Sequence, residues 1–454
     1  MTVKRIDQTR ARATEILRSA GLTPFRQILD GASFAQAWAK PIASKTVLIP
    51  EVVFWLMAAV ALGEPSMTAS VVTFWATVRV SFPWLPLQPV TEEAFCIARG
   101  LLPLRFFMTL FNDLIARFHL RFGDACRWKG RRVLGIDGTE VDLPRHARLA
   151  RLFPATGNQH GAGACPQGRL VGLVGLWNGI CYHFRWTSLA VSEQASARRL
   201  LQYLLRLDLL LADRNFPDLA TFAAILRQAA DFLFHLPSNR FLEKSRTVTP
   251  SGRAEEWYVR LSLTKALREA YPELAGGLQV RILRYQIDGF RPSWLVTSLL
   301  DTQAFPYEEL VALYHERWRQ ETFHREWKYT LQLSGLRSHS ATGLLKEVLV
   351  QLTMNNAIRW IMAEACTGEE RPVALQFLAA KRLILASMPA MTLAPLHWLP
   401  MLYEKLRIEI AGQRIRVRPG RSYPRRWDGR ARPKGHGRTA QPARMTPTEH
   451  VHVR

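Results

Sequence analysis

The chain has 454 residues, 48% hydrophobic and 10% aromatic, which allows a sizeable buried core and excludes a disordered polymer. Its 61 Lys and Arg against 37 Asp and Glu give a formal charge of +24, pointing first to nucleic acid and second to an anionic membrane surface. Five scattered cysteines without a CxxC pair argue against a disulfide framework or a thiolate zinc site and fit a reducing cytoplasm.

No signal-peptide core follows Met1, and the most apolar run, Val52–Leu62, is about half the ~20 residues a bilayer requires, so no membrane partner is expected. Residues 1 to about 125 read as helical, with apolar residues at helical spacing in Arg10–Ser19, Phe34–Ala39, Val52–Leu62 and Thr91–Leu120. Pro50, the Gly63–Ser66 turn and the Pro83–Pro89 stretch separate them. Trp55, Trp75, Phe106, Phe107 and Phe111 are expected in the core of this region.

The period then changes. Arg131–Gly138 is a short apolar run ending in a turn, as a buried strand would be. Leu170–Trp177 and Cys181–Leu189 flank Asn178-Gly179, a hairpin signal. A helix is expected over Ser192–Leu207 with Ser192 as its N-cap, a strand over Leu207–Ala212, a helix over Pro217–Arg227 and a strand over Asp231–Leu236. Pro237 to about Arg291 reads as a β-rich insertion with strands at Glu256–Leu263 and Leu278–Ile287, followed by a buried strand, Ser293–Leu300. Long helices are expected over Tyr307–Leu331 and Leu344–Glu364, with a weaker helical pattern to about Leu406. Between Arg414 and Arg444 eleven Lys and Arg face one acid, Asp428, among many Gly and Pro, so this segment reads as a disordered basic tail suited to phosphate contact.

Asp137 and Asp213 each follow an apolar strand, where functional sites of α/β sheets form. The residues alone leave each open to an ordinary cap or turn role. The helix from Tyr307 adds weight. Tyr314, Arg317, Glu321 and Lys328 stand at offsets of 0, 3, 7 and 14, a stripe roughly 60° wide and roughly 21 Å long on an ideal helix. Phe323 and Trp327 point the other way, toward the core. Three carboxylates without His or Cys suit Mg²⁺, and two such ions activate the attacking oxygen and stabilise the leaving one in phosphodiester chemistry. Asp137 would bridge both ions, with Asp213 and Glu321 each holding one.

The run Tyr314-x2-Arg317-x3-Glu321-x6-Lys328, within YHERWRQETFHREWK, closely resembles the Tyr-Arg-Glu-Lys signature of the insertion-sequence family 4 DDE transposases. GIDGT around Asp137 and LADRNF around Asp213 look like that family's first two acidic motifs, in order. The resemblance covers roughly residues 30–420. It implies an α/β ribonuclease-H-like core, a mixed sheet flanked by helices, carrying a β-rich insertion and preceded by an all-α N-terminal domain. The expected parts are a helical domain over 1–125, the first part of the core over 126–236, the insertion over 237–291, the rest of the core over 292–410 and the tail over 411–454.

By this resemblance Asp137, Asp213 and Glu321 are the catalytic, metal-binding triad, served by two Mg²⁺ ions with Mn²⁺ as a substitute. Tyr314, Arg317 and Lys328 contact the phosphates of the element's end, and Trp294 and Trp318 match positions that handle a flipped base, though a buried core role is equally open for Trp294. The Gly- and His-rich Pro144–Gly168 region departs from the family pattern. His160, His315 and His324 read as surface or packing residues. The expected protein is a cut-and-paste transposase acting on double-stranded DNA as a synaptic homodimer in a prokaryotic cytoplasm. The alternatives are a ribonuclease-H-like nuclease and a catalytically silent DNA-binding derivative.

Overall fold

The structure, a computed structural model, describes residues 24–38, 48–64, 66–81, 90–155, 157, 163, 165–237, 247–250, 255–286, 292–368 and 370–416. The expected helix Arg10–Ser19, His160 and the basic tail beyond residue 416 lie outside these residues.

Strand formation follows the change of period. The strands are β1 (Arg127–Trp128), β2 (Arg131–Asp142), β3 (Gln167–Gly175), β4 (Cys181–Ser188), β5 (Asp208–Ala212), β6 (Asp231–Leu236), β7 (Thr247–Pro250), β8 (Glu256–Leu261), β9 (Leu278–Tyr285) and β10 (Ser293–Thr297). They form one mixed sheet in the order β4-β3-β2-β5-β6-β10-β9-β8-β7, with β1 beside β2. The first five of these strands have the ribonuclease-H-like arrangement: β2, β3 and β4 pair antiparallel, while β5 runs parallel to β2 and β6 parallel to β5. Leu209, Leu210, Leu211 and Ala212 are all fully buried, as expected of a central parallel strand covered on both faces. The Asn178-Gly179 hairpin is present, with Gly179 at φ 71°, a conformation that favours glycine. The insertion strands do not form a separate sheet: β9 pairs with β10, and β10 with β6, so they extend the main one.

Several expected elements are altered. β2 does not stop at Gly138 but runs on to Asp142 against β3. The helix expected over Ser192–Leu207 is only Glu193–Arg198, followed by a 3-10 turn at Leu201–Tyr203; Ser192 is its N-cap, accepting from Ala195 N. Thr91–Leu120 divides into Glu92–Leu101 and Leu104–Phe122, bent by 76° at Pro103, whose missing N–H cannot continue a helix.

The N-terminal helices pack around Phe34, Phe54, Trp55, Phe106 and Phe107, whose rings meet edge-on or tilted. They close onto the long helix Ala341–Ala365, which is buried along most of its length. Arg99–Glu347 and Arg121–Glu364 ion pairs fasten that contact. Among the described residues no single helix is long and apolar enough to cross a membrane.

Candidate active site

Asp137 and Asp213 are brought together by strand register. β2 and β5 pair in parallel with Arg132 opposite Asp208 and Gly135 opposite Leu211, and two more residues along each strand are Asp137 and Asp213. Asp213 directly follows the end of its strand at Ala212, whereas Asp137 lies within a strand that continues past it. The Asp137 carboxylate accepts from Gly138 N at 2.9 Å, and Asp213 Oδ1 accepts from Asn215 N at 2.8 Å. Burial, then the nearby carboxylates of Glu193 and Asp213, push Asp137 up to about 7, against the opposing pull of its Gly138 hydrogen bond and Arg317.

The segment expected as one helix over Tyr307–Leu331 changes pitch three times. Tyr307–His315 is α-helical, Glu316–Trp318 a 3-10 turn, Arg319–Arg325 α-helical and Glu326–Thr330 a π-helix. Tertiary contacts hold these departures: Arg319 pairs with Glu316, the buried Arg359 pairs with Glu326, and Lys381 Nζ donates to Thr330 O at 2.5 Å. The ideal 60° stripe therefore does not run unbroken from Tyr314 to Lys328. Phe323 and Trp327 are buried at 2% and 1%, as expected.

Arg319–Arg325 lies directly on β2. The fully buried Gln320 packs over Gly135, where an added Cβ would collide with Gln320 Oε1 and Leu176 Cδ2 and force these side chains to shift. One turn on, His324 Nδ1 is 3.9 Å from Asp137 Oδ2. Glu321 stands between these two contacts, exposed and without an ion pair or hydrogen bond among the described residues. His324 is a packing residue, as expected, but one that faces the site; burial pushes its imidazole down to about 3, so it is neutral beside Asp137. His315 is exposed, its ring edge-on to Tyr285.

The expected DNA-contacting residues are dispersed around this centre. Tyr314 is buried at 6%, between His235 (6.0 Å between centroids) and the Arg317 guanidinium (5.9 Å from its ring), and burial raises its phenol well above the usual range. The Arg317 Nε has no hydrogen-bond partner among the described residues although it is buried. Lys328 is half-buried on the π turn, and Trp318 is 58% exposed. Trp294 is half-buried on β10 with its ring 5.7 Å from that of Trp257.

Sequence reasoning missed Glu193, His324 as a neighbour of Asp137, and Asn215 as the residue that holds Asp213. Glu193 looks like an ordinary first-turn acid behind a serine cap, and no local pattern distinguishes it.

The family of transposase DDE domains matches residues 128–356, a span that contains both aspartates and Glu321. The chain belongs to this family. Among curated proteins it is 25% identical over 239 residues to the transposase InsG of insertion sequence element IS4 from Escherichia coli strain K12, a match covering 52% of this chain and 53% of that protein. The chain thus spans about half the length of that relative. The cryo-EM structure of a piggyBac transposase synaptic complex with hairpin DNA aligns at a TM-score of 0.41 and 9% identity, covering 87% of this chain and 85% of that one. DDE transposases as a family use divalent metal ions.

The donor set here suits such an ion: Asp137, Asp213 and Glu321 offer oxygen ligands only, and the carboxylates of Glu193 and Asp213 act on Asp137. Among the described residues, no three His, Cys, Asp or Glu side chains converge closely enough to hold a metal as they stand.

Proposed function

We propose that this DDE transposase binds the terminal inverted repeats of its own insertion sequence, cuts DNA there and joins the freed 3′-hydroxyl to target DNA, with two copies pairing the two ends. The observation that carries this reading is the placement of Asp137 and Asp213 side by side on parallel strands, with the helix bearing Glu321 laid across the first of them.

Asp137, Asp213 and Glu321 would hold two Mg²⁺ ions, or Mn²⁺ in their place. When bound, the ions activate the attacking oxygen and stabilise the leaving one. Asp137 is central enough to be shared, and Asp213 is fixed by Asn215. Glu321, exposed and unengaged among the described residues, is free to turn toward both. Arg317, with a buried Nε lacking a partner, is a donor suited to a phosphate oxygen, and Tyr314 orients it. Lys328 adds charge further along the backbone, and Trp318 offers an exposed ring on which an unpaired base can stack, with Trp294 as the second such ring.

The test is an in vitro reaction with the inverted repeats that flank the gene. Wild-type protein with Mg²⁺ is expected to give cut ends and joined products, and Glu321→Gln to bind the ends without cutting them. Cutting by Glu321→Gln at the wild-type rate defeats the site assignment. Cut but never joined ends would make the chain a nuclease.

A further inference from the structure

We propose that Glu193 is a fourth metal-holding carboxylate of this site, entering from the face of the sheet opposite to Glu321; the inference rests on the reading of Asp137, Asp213 and Glu321 given above.

Side chains alternate across a strand. Gly135 and Asp137 therefore face one side of β2, where Gln320 and His324 lie, and Gly138 faces the other. On that second side stands the helix Glu193–Arg198, and a Cβ at position 138 would come within 2.4 Å of Glu193 Oε1. Gly138 gives space rather than a turn, since the strand continues through it. The missing side chain is what lets the Glu193 carboxylate reach the backbone next to Asp137.

Asn215 then links this carboxylate to the other aspartate. Its Nδ2 donates to Glu193 Oε2 at 3.0 Å, its backbone N donates to Asp213 Oδ1 at 2.8 Å, and its carbonyl accepts from Gln194 Nε2 at 3.3 Å. One residue thus sets the spacing of Glu193 and Asp213 and leaves Glu193 Oε1 directed at the β2 backbone.

Among the described residues no Lys, Arg or His forms an ion pair with Glu193.

Across the sheet, the Asp137 side holds buried polar atoms without partners among the described residues. His324 is only 8% exposed and faces Asp137 through Nδ1; among the described residues its Nε2 has no hydrogen-bond partner, nor has Oε1 of the fully buried Gln320. Glu193 on one face of the sheet and the helix bearing Glu321 on the other flank Asp137 and the end of β5, where a divalent cation drawing the carboxylates together would neutralise them. In this arrangement Glu193 contributes Oε1, while Oε2 stays on Asn215.

The experiment measures Mn²⁺ binding to the full chain without DNA by isothermal titration calorimetry, alongside urea unfolding without metal. Glu193→Gln keeps the shape and an acceptor for Asn215, and is expected to weaken Mn²⁺ about tenfold or more with unchanged metal-free unfolding. Asp137→Asn is expected to abolish binding. Wild-type Mn²⁺ affinity in Glu193→Gln, with binding lost in Asp137→Asn, overturns the role of Glu193 and leaves the triad standing. Wild-type affinity in both Asp137→Asn and Glu321→Gln overturns the triad and this inference with it.

A second measurement needs no variant. Fe²⁺ with ascorbate and peroxide should cut the wild-type backbone near residues 137, 213 and 193, with Mg²⁺ protecting all three. Cuts near 137 and 213 but not near 193 count against the proposal.

Discussion

Arg132 and Asp208 form a buried two-pronged ion pair between neighbouring parallel strands, Nε to Oδ1 at 2.8 Å and Nη2 to Oδ2 at 2.6 Å. Five residues further along each strand stand Asp137 and Asp213. Because side chains alternate with a period of two, a slip of one residue between β2 and β5 would turn Asp137 away from Asp213. The pair fixes the register at the start of the two strands, and the site uses that register at their ends.

Asp208→Asn is therefore expected to cost about 3–5 kcal/mol, since it leaves the Arg132 guanidinium buried without its charge partner. Urea unfolding measures the loss. Replacing both residues by Leu should recover much of it, because two apolar side chains leave no buried charge behind. If Asp208→Asn unfolds like the wild type, the pair does not hold the strands.

Gly138→Ala tests the close approach of Glu193. The added Cβ falls 2.4 Å from Glu193 Oε1, so the carboxylate must move away and its bond to Asn215 lengthens or breaks. A loss of about 1–3 kcal/mol is expected. In the double variant Gly138→Ala/Glu193→Ala most of that loss should vanish, giving a coupling of about 0.5–3 kcal/mol in a double-mutant cycle. Strict additivity of the two changes would mean that they do not meet.

These two predictions involve features of unequal visibility in the sequence. The strands of the core were legible because burial on both faces writes itself as continuous apolar runs, as in LDLLLAD before Asp213. The Asn-Gly hairpin was legible because a tight turn demands a particular chemistry. The pitch changes between Glu316 and Thr330 were not, because partners far along the chain impose them: Arg359 holds Glu326, and Lys381 holds the Thr330 carbonyl. Glu193 was hidden for the same reason. It lies 56 positions from Asp137, and the link is a hydrogen bond from Asn215 and the empty space over Gly138, neither of which has a local signature.

Lys381 gives the end of the site helix a pH dependence. Burial, with Arg382 adding to it, pushes its ammonium down to about 8 from an ordinary value near 10.5. Below pH 8 both folded and unfolded chains carry the charge and the burial penalty is present in full. Between about pH 8 and 10.5 the unfolded chain holds a proton that the folded one has released, so stability from this group rises with pH. Comparing urea unfolding of wild type and Lys381→Met at pH 7.5, 8.5 and 9.5 isolates the effect. The difference should shift toward the wild type at each step; a constant difference would show that Lys381 titrates normally.

Lys328 sits half-buried on the π turn and forms no ion pair among the described residues, so its charge is available to a phosphate. Each phosphate contact on duplex DNA releases counterions and adds about 0.9 to the slope of log affinity against log salt. Lys328→Ala should weaken binding to the inverted repeat and to unrelated duplex by similar factors, and flatten that slope by about 1. Met at the same position keeps an apolar stem of similar length without the charge, so Lys328→Met should show the same flattening with less loss of stability. Fluorescence anisotropy across a salt series reads both quantities. An unchanged slope in both variants would remove Lys328 from the DNA contact; a loss confined to the inverted repeat would assign it to base recognition instead of the backbone.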